Sequence, residues 1–180
     1  MNKQAWPERK GLLQLAGQDA TIVGADIQIG DEAPEFTAQT QDWQPIPVLA
    51  STKGKVRIIA AVPSLETTTC DRETRRFNQE AAALSEDIVV IVISTDLPYT
   101  QKRWCGAAGI DRVLVVSDHM DAEFGQKYGC LIKERRILRR AVFVIDRNDQ
   151  VAYADYMPVL SQEPDYEAVL QAARNALASS

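Results

Sequence analysis

Val56-Arg57-Ile58-Ile59-Ala60-Ala61-Val62-Pro63 leads directly into Ser64-Leu65-Glu66-Thr67-Thr68-Thr69-Cys70-Asp71-Arg72-Glu73-Thr74-Arg75-Arg76-Phe77, and the reading of this stretch decides the fold. The first seven residues are mostly β-branched or small and apolar without alternation, which predicts a strand buried on both faces. Pro63 ends it. From Cys70 to Ser85 the apolar residues Phe77, Ala81 and Leu84 fall on one helical face, so a strand feeds an amphipathic helix through a short loop. Three threonines just before Cys70 supply cap hydroxyls for the start of that helix.

Outward from this unit the alternation continues. Asp87 to Ser94 predicts the next strand, ended by Asp96-Leu97-Pro98. Tyr99 to Ala108 predicts a short helix closed by Gly109, Arg112 to Val116 a strand, and Asp121 to Tyr128 another short helix closed by Gly129. Ala141 to Ile145 and Val151 to Tyr156 flank Arg147-Asn148-Asp149-Gln150 as a hairpin. Pro164 opens a final helix at its first turn, with Tyr166, Val169, Leu170, Ala173 and Leu177 as its buried stripe. On the N-terminal side, Leu12 to Leu15 and Ala20 to Val23 around Gly17-Gln18-Asp19 predict a hairpin over residues 11–24. Trp43 to Val48 reads as a proline-interrupted edge segment. Strand–helix alternation implies parallel strands covered by helices, and the late hairpin adds antiparallel pairing. The expectation is therefore one α/β domain over residues 1–180. Its central sheet is mixed and flanked by helices, in a thioredoxin-like fold with an added N-terminal β-hairpin.

Composition limits what such a domain does. The chain is 46% apolar and 25% charged, the profile of a water-soluble globular protein, and carries a net charge of −5. An acidic balance disfavours a general nucleic-acid binder or a protein of anionic membranes, which need a basic face. The first residues, Met1 to Lys10, contain no apolar run of signal-peptide length, and no uncharged apolar stretch reaches the roughly 18 residues of a membrane span. The expected location is the cytoplasm.

The three cysteines, Cys70, Cys105 and Cys130, are odd in number and widely spaced, and His119 is the single histidine. No Cys-x-x-Cys pair exists, so neither a zinc site nor a disulfide framework is predicted. Cys70 stands apart. At the first turn of a helix, unpaired N–H groups and the helix dipole favour a thiolate. Arg72, Arg75 and Arg76 add positive charge, and Asp71 and Glu73 offset part of it. From placement alone, a capped helix start carrying an ordinary core cysteine fits these residues equally well.

The run Val62 to Phe77, VPSLETTTCDRETRRF, resembles the active-site loop of the peroxiredoxins, Pro-x-x-x-Thr-x-x-Cys, and specifically that of the thiol peroxidase branch found in bacteria. Further matches follow in order: Ser94 to Pro98, Lys102 to Gly109, Ser117-Asp118-His119, Phe124 to Gly129, and Arg140 to Asp146. The resemblance extends from about Leu12 to the C-terminal helix. It implies that Cys70 is the peroxidatic cysteine, shielded by Pro63. Thr67 would bond thiolate and peroxide, and Arg140, rather than Arg139, would stabilise the thiolate and polarise the peroxide. Cys105 would be the resolving cysteine, closing a Cys70–Cys105 disulfide within one chain. By the same resemblance the substrates are hydrogen peroxide and organic hydroperoxides, thioredoxin is the reductant, the assembly is a homodimer, and no metal, haem or flavin takes part. Cys130 lies outside the matched cysteines and reads as a core thiol. His119 reads as structural, at the dimer interface by analogy. Apart from Arg140, the cluster of Lys133, Arg135, Arg136 and Arg139 reads as a solvated basic face. A redox sensor using the same two cysteines predicts the same disulfide and differs only in turnover.

Overall fold

The computed structural model describes residues 4–179. The N-terminal third holds β1 (Glu8–Arg9), β2 (Gln14–Leu15), β3 (Gln18–Asp19), β4 (Ile22–Val23), β5 (Thr37–Gln39), β6 (Pro45–Pro47) and α1 (Val48–Ser51). The middle holds β7 (Val56–Ala61), α2 (Thr68–Ala81), β8 (Ile88–Ser94), α3 (Pro98–Ala108), β9 (Leu114–Ser117) and α4 (Glu123–Lys127). The last third holds β10 (Leu131–Ile132), β11 (Ile137–Leu138), β12 (Ala141–Ile145), β13 (Val151–Tyr156) and α5 (Tyr166–Ala178).

Seven strands form the central sheet in the order β13-β12-β7-β8-β9-β5-β6. β7, β8 and β9 are parallel, while β12 runs antiparallel to β7 and the outer strands extend the sheet antiparallel on both sides. The sheet is mixed, as the alternation of elements implies. Every residue of β7 is buried, because successive side chains enter opposite cores. Ile59 and Ala61 join Phe36, Phe124, Tyr128 and Phe143 on one side. Ile58 and Ala60 join Phe77 of α2, Trp104 of α3 and Leu170 of α5 on the other. Arg57 is the exception in kind. Fully buried, its guanidinium donates to Thr52 Oγ1, to the carbonyls of Leu49 and Asp146, and pairs with Asp149. β6, which contains two prolines, lies at the sheet edge, where a missing N–H breaks no ladder.

Several details differ from the sequence expectation. β2 and β3 pair through only two residues each, about a turn with Ala16 at φ 50° and Gly17 at φ 81°. Positive φ at both central positions is the requirement of the tight hairpin turn. Ile22 and Val23 do not continue that hairpin. They pair with β1 and β10, in a second sheet ordered β1-β4-β10-β11. Ile22 is fully buried, and a two-stranded ribbon cannot cover it. α2 ends at Ala81, short of Ser85. α5 starts at Tyr166 with Asp165 as its cap, accepting from Ala168 N at 3.0 Å, so Pro164 precedes the helix rather than opening it.

Candidate active site

The loop after β7 is tied down before Cys70 is reached. Asp96, just beyond β8, accepts from Ser64 Oγ at 2.7 Å and from Leu65 N at 2.8 Å, and Ser94 Oγ donates to the same carboxylate. Thr67 then caps α2: its Oγ1 accepts from Cys70 N at 3.3 Å and donates to Ser64 O at 3.2 Å. Cys70 therefore sits in the first turn, buried, with the helix N-terminus beneath its sulfur. The Thr67 hydroxyl serves the cap in this state; no hydrogen bond joins it to Cys70 Sγ among the described residues.

Arg140, immediately before β12, closes the site from the neighbouring strand. It is almost wholly buried and makes a fork of contacts: Nη2 donates to Cys70 Sγ at 3.1 Å, Nε and Nη2 donate to Leu160 O at 3.0 and 2.9 Å, and Nη1 donates to Glu73 Oε2. Arg139 points the opposite way, as adjacent residues of an extended chain must. It pairs with Asp26 at 3.1 Å, donates to Gly129 O and lies over the Tyr156 ring. Its side chain is only 6% exposed, so the expectation of a solvated face fails at this residue: an ion pair, a carbonyl and an aromatic ring together replace its water. Lys133, Arg135 and Arg136 are exposed.

Glu73 is the site residue that sequence reasoning missed. It stands three residues after Cys70 on α2, fully buried, with Oε1 lacking a hydrogen-bond partner. Burial pushes its carboxyl up to about 7, against the pull of the Arg140 charge and hydrogen bond. Its only sequence signal was spacing: a carboxylate at i+3 from the cysteine on the same helical face.

Pro63, Thr67, Thr68, Thr69, Ile137 and Leu160 line an open cavity of about 290 Å³ that reaches Arg140. Its lining combines apolar Pro63, Ile137 and Leu160 with hydroxyl residues and the charged Arg135 and Arg140. Cys70 is fully buried and is not itself in that lining; Arg140, which is, joins the sulfur to the cavity.

Cys105, on α3, is buried and does not line this cavity. Its Sγ accepts from Gln41 Nε2 at 3.5 Å, and burial pushes its thiol up to about 11, with Gln41 acting in the opposite direction. The neighbouring Trp104 lines a shallow depression together with Leu65 to Thr68 and Asp71, and shares one buried cluster with Cys70 and Cys105. All three cysteines are free thiols here. Cys130 is fully buried, and burial raises its pKa. His119 packs edge-on against Trp43, with Nε2 buried and unpartnered. Among the described residues, no three His, Cys, Asp or Glu side chains converge as metal ligands.

The Redoxin family model matches residues 28–170, which covers the sheet, Cys70, Cys105 and Arg140. The chain belongs to the Redoxin family. Similar relatives agree on the branch. Thiol peroxidases of Oceanobacillus iheyensis and Bacillus subtilis are 53% and 49% identical to this chain. The first alignment spans 83% of this chain and 90% of the relative, the second 90% and 96%. A solved peroxiredoxin-like protein from Aquifex aeolicus is 38% identical, with a TM-score of 0.82 over 91% of this chain and 96% of its own. A thiol peroxidase from Chromobacterium violaceum, 19% identical with a TM-score of 0.79, shares the fold. This Redoxin chain is thus a peroxiredoxin-type enzyme of the bacterial thiol peroxidase group, with the thioredoxin-like mixed sheet of that family. No helix among the described residues is long and apolar enough to cross a membrane.

Proposed function

We propose that this enzyme reduces hydrogen peroxide and organic hydroperoxides with the Cys70 thiolate and resolves the product through Cys105. The observation that carries the reading is the Arg140 Nη2 contact to Cys70 Sγ at 3.1 Å, made by a guanidinium that also lines a cavity open to solvent. Sγ attacks one peroxide oxygen, the O–O bond breaks, and the other oxygen leaves as water or alcohol after taking up a proton. Cys70 becomes a sulfenic acid. Pro63 and the apolar wall keep water from the sulfur. The Thr67 hydroxyl and the guanidinium are the groups within reach of the oxygens, where they stabilise charge moving onto the leaving atom.

The Cys105 thiol then condenses with the sulfenic acid: an S–S bond forms and water departs. Because Cys105 faces Gln41 in the reduced state, α3 or the first turn of α2 must partly unwind for the sulfurs to meet. A dithiol, thioredoxin, reduces the disulfide in the cytoplasm. A second copy of the chain covers the exposed Leu97, Tyr99 and Met120 beside Trp43 and His119, making a homodimer.

The test is peroxide consumption with thioredoxin and its reductase, comparing wild type with Cys70→Ser, Cys105→Ser and Cys130→Ser. Multiple turnovers lost in the first two variants and retained in the third are the expected result. Continued cycling of Cys105→Ser would replace the two-cysteine cycle with a one-cysteine cycle. A wild-type protein that oxidises once and never turns over would be a sensor.

A further inference from the structure

Besides the buried bonds of Gln101 to Ser94 and Val116 and the Arg103–Glu66 ion pair, one turn at the sheet edge holds the helix that carries Cys105. Residues 40–44 connect β5 to β6 at the edge of the sheet, closed by Thr40 and Gln44 across Trp43 N and Gln44 N. Three consecutive side chains of this turn reach α3. Gln41 Nε2 donates to Cys105 Sγ at 3.5 Å, Asp42 pairs with Lys102 Nζ at 2.7 Å, and the Trp43 ring packs on Tyr99 at 5.0 Å between centroids. Trp43 holds φ at 62°, a left-handed conformation that costs a bulky residue backbone energy and persists only where contacts repay it. Three points spaced along α3, at residues 99, 102 and 105, are thereby fixed to the sheet edge.

We propose that the turn at residues 40–44 is a latch on α3, with Gln41 holding the Cys105 sulfur itself, and that its release limits how fast Cys105 resolves oxidised Cys70. The inference rests on the reading of Cys105 as resolving cysteine. The physical case is one of direction. Cys105 Sγ is engaged by Gln41 and both cysteines are free thiols, so the sulfur must leave Gln41 to bond Cys70. A contact present before the step and broken during it lowers the starting state alone and therefore slows the step. Burial compounds this by keeping the latched thiol protonated, since its pKa lies at about 11. The overall reaction balances as sulfenic acid plus thiol giving disulfide plus water. A slower resolution leaves the sulfenic acid exposed longer to a second peroxide, which carries it to sulfinic acid.

The experiment is a single-turnover reaction of fully reduced protein with hydrogen peroxide, following disulfide formation by rapid quench and mass spectrometry. Wild type is compared with Gln41→Ala and with Lys102→Met, a surface change that releases the same latch without touching Cys105. Loss of one hydrogen bond or one exposed ion pair predicts resolution roughly three- to tenfold faster for the first variant and about twofold for the second. The peroxide concentration that half-converts Cys70 to sulfinic acid should rise by the same factors. The rate of the first oxidation should stay unchanged, which a general loosening of the fold would not give. Resolution at the wild-type rate or slower in both variants, with the Cys70–Cys105 disulfide still forming, overturns the latch alone. Absence of that disulfide in wild type overturns the role of Cys105, and the latch with it.

Discussion

Glu73→Gln tests how the buried charges at the active site are balanced. Glu73 is raised from an ordinary 4.5 to about 7 because burial outweighs the attraction of Arg140. The folded state therefore binds this proton more tightly than the unfolded chain. The stability that this confers is complete below pH 4.5 and is lost as pH rises through about 7. At 1.36 kcal/mol per pH unit the loss amounts to about 3 kcal/mol. Glutamine keeps an oxygen that accepts from Arg140 Nη1 and never ionises, so the variant lacks this slope. Whatever the constant cost of the amide, the stability difference should move by about 3 kcal/mol in the variant's favour between pH 4.5 and pH 8. For a chain of this size that corresponds to roughly 10 °C in melting temperature. The assay is urea unfolding of both proteins, reduced throughout, at half-unit pH steps; titrations common to both cancel in the difference. Parallel stability curves would refute the reasoning, because they would mean that Glu73 is ionised throughout and forms an ordinary ion pair.

Arg140→Lys keeps a positive charge but loses the fork that reaches Cys70 Sγ, Leu160 O and Glu73 together, so the second-order rate of Cys70 oxidation should fall by about 10²-fold or more. Stopped-flow oxidation by hydrogen peroxide measures it, and a loss under threefold would show that charge alone suffices. Gly24→Ala should destabilise the fold by about 3 kcal/mol or more, because φ is +95° and an added Cβ would lie 2.0 Å from Gln126 O. Chemical denaturation reports it, and an unchanged midpoint would mean that the backbone there relaxes freely.

Which parts of this molecule were legible in the sequence follows from how each residue is buried. β7, β8 and β12 are buried on both faces, so their apolar runs, interrupted in β7 only by Arg57, need no partner to be recognised. The cap of Cys70 is local, with Thr67 three residues away, so the helix start was legible, but only the resemblance of the Pro63–Cys70 run to the peroxiredoxins set the cysteine apart from an ordinary core thiol. The second sheet was not visible, since strands of two residues such as Ile22–Val23 and Leu131–Ile132 carry no periodicity, and their pairing spans more than a hundred positions. Arg139 was read as solvated because its ion-pair partner, Asp26, is 113 positions away. Gln41 has no local signal either, being a polar residue in a turn whose partner sulfur lies 64 positions on. Glu73 hid for a different reason. A carboxylate among arginines on a helix normally marks a surface face, and only the arrival of Arg140 from a distant strand turns it into a core residue.

That arrival also explains why charge placement, more than ionisation, matters at this site. A free thiol is a few per cent ionised at pH 7, so complete ionisation multiplies its reactive fraction only about thirtyfold. Any larger acceleration must come from groups already aimed at the oxygen that leaves. In the proposed mechanism Arg140 is such a group, because the Leu160 carbonyl, the Glu73 carboxyl and the Cys70 sulfur hold its plane before any substrate enters. No reorganisation of the guanidinium is then needed during the reaction. Leu160 acts twice, its carbonyl orienting the guanidinium while the residue forms part of the cavity wall. On the proposed reading, a peroxide pressing on that wall would press on the segment that aims Arg140. The proposed mechanism thus predicts that changes to the wall at Leu160 alter the rate of oxidation as well as the choice of peroxide.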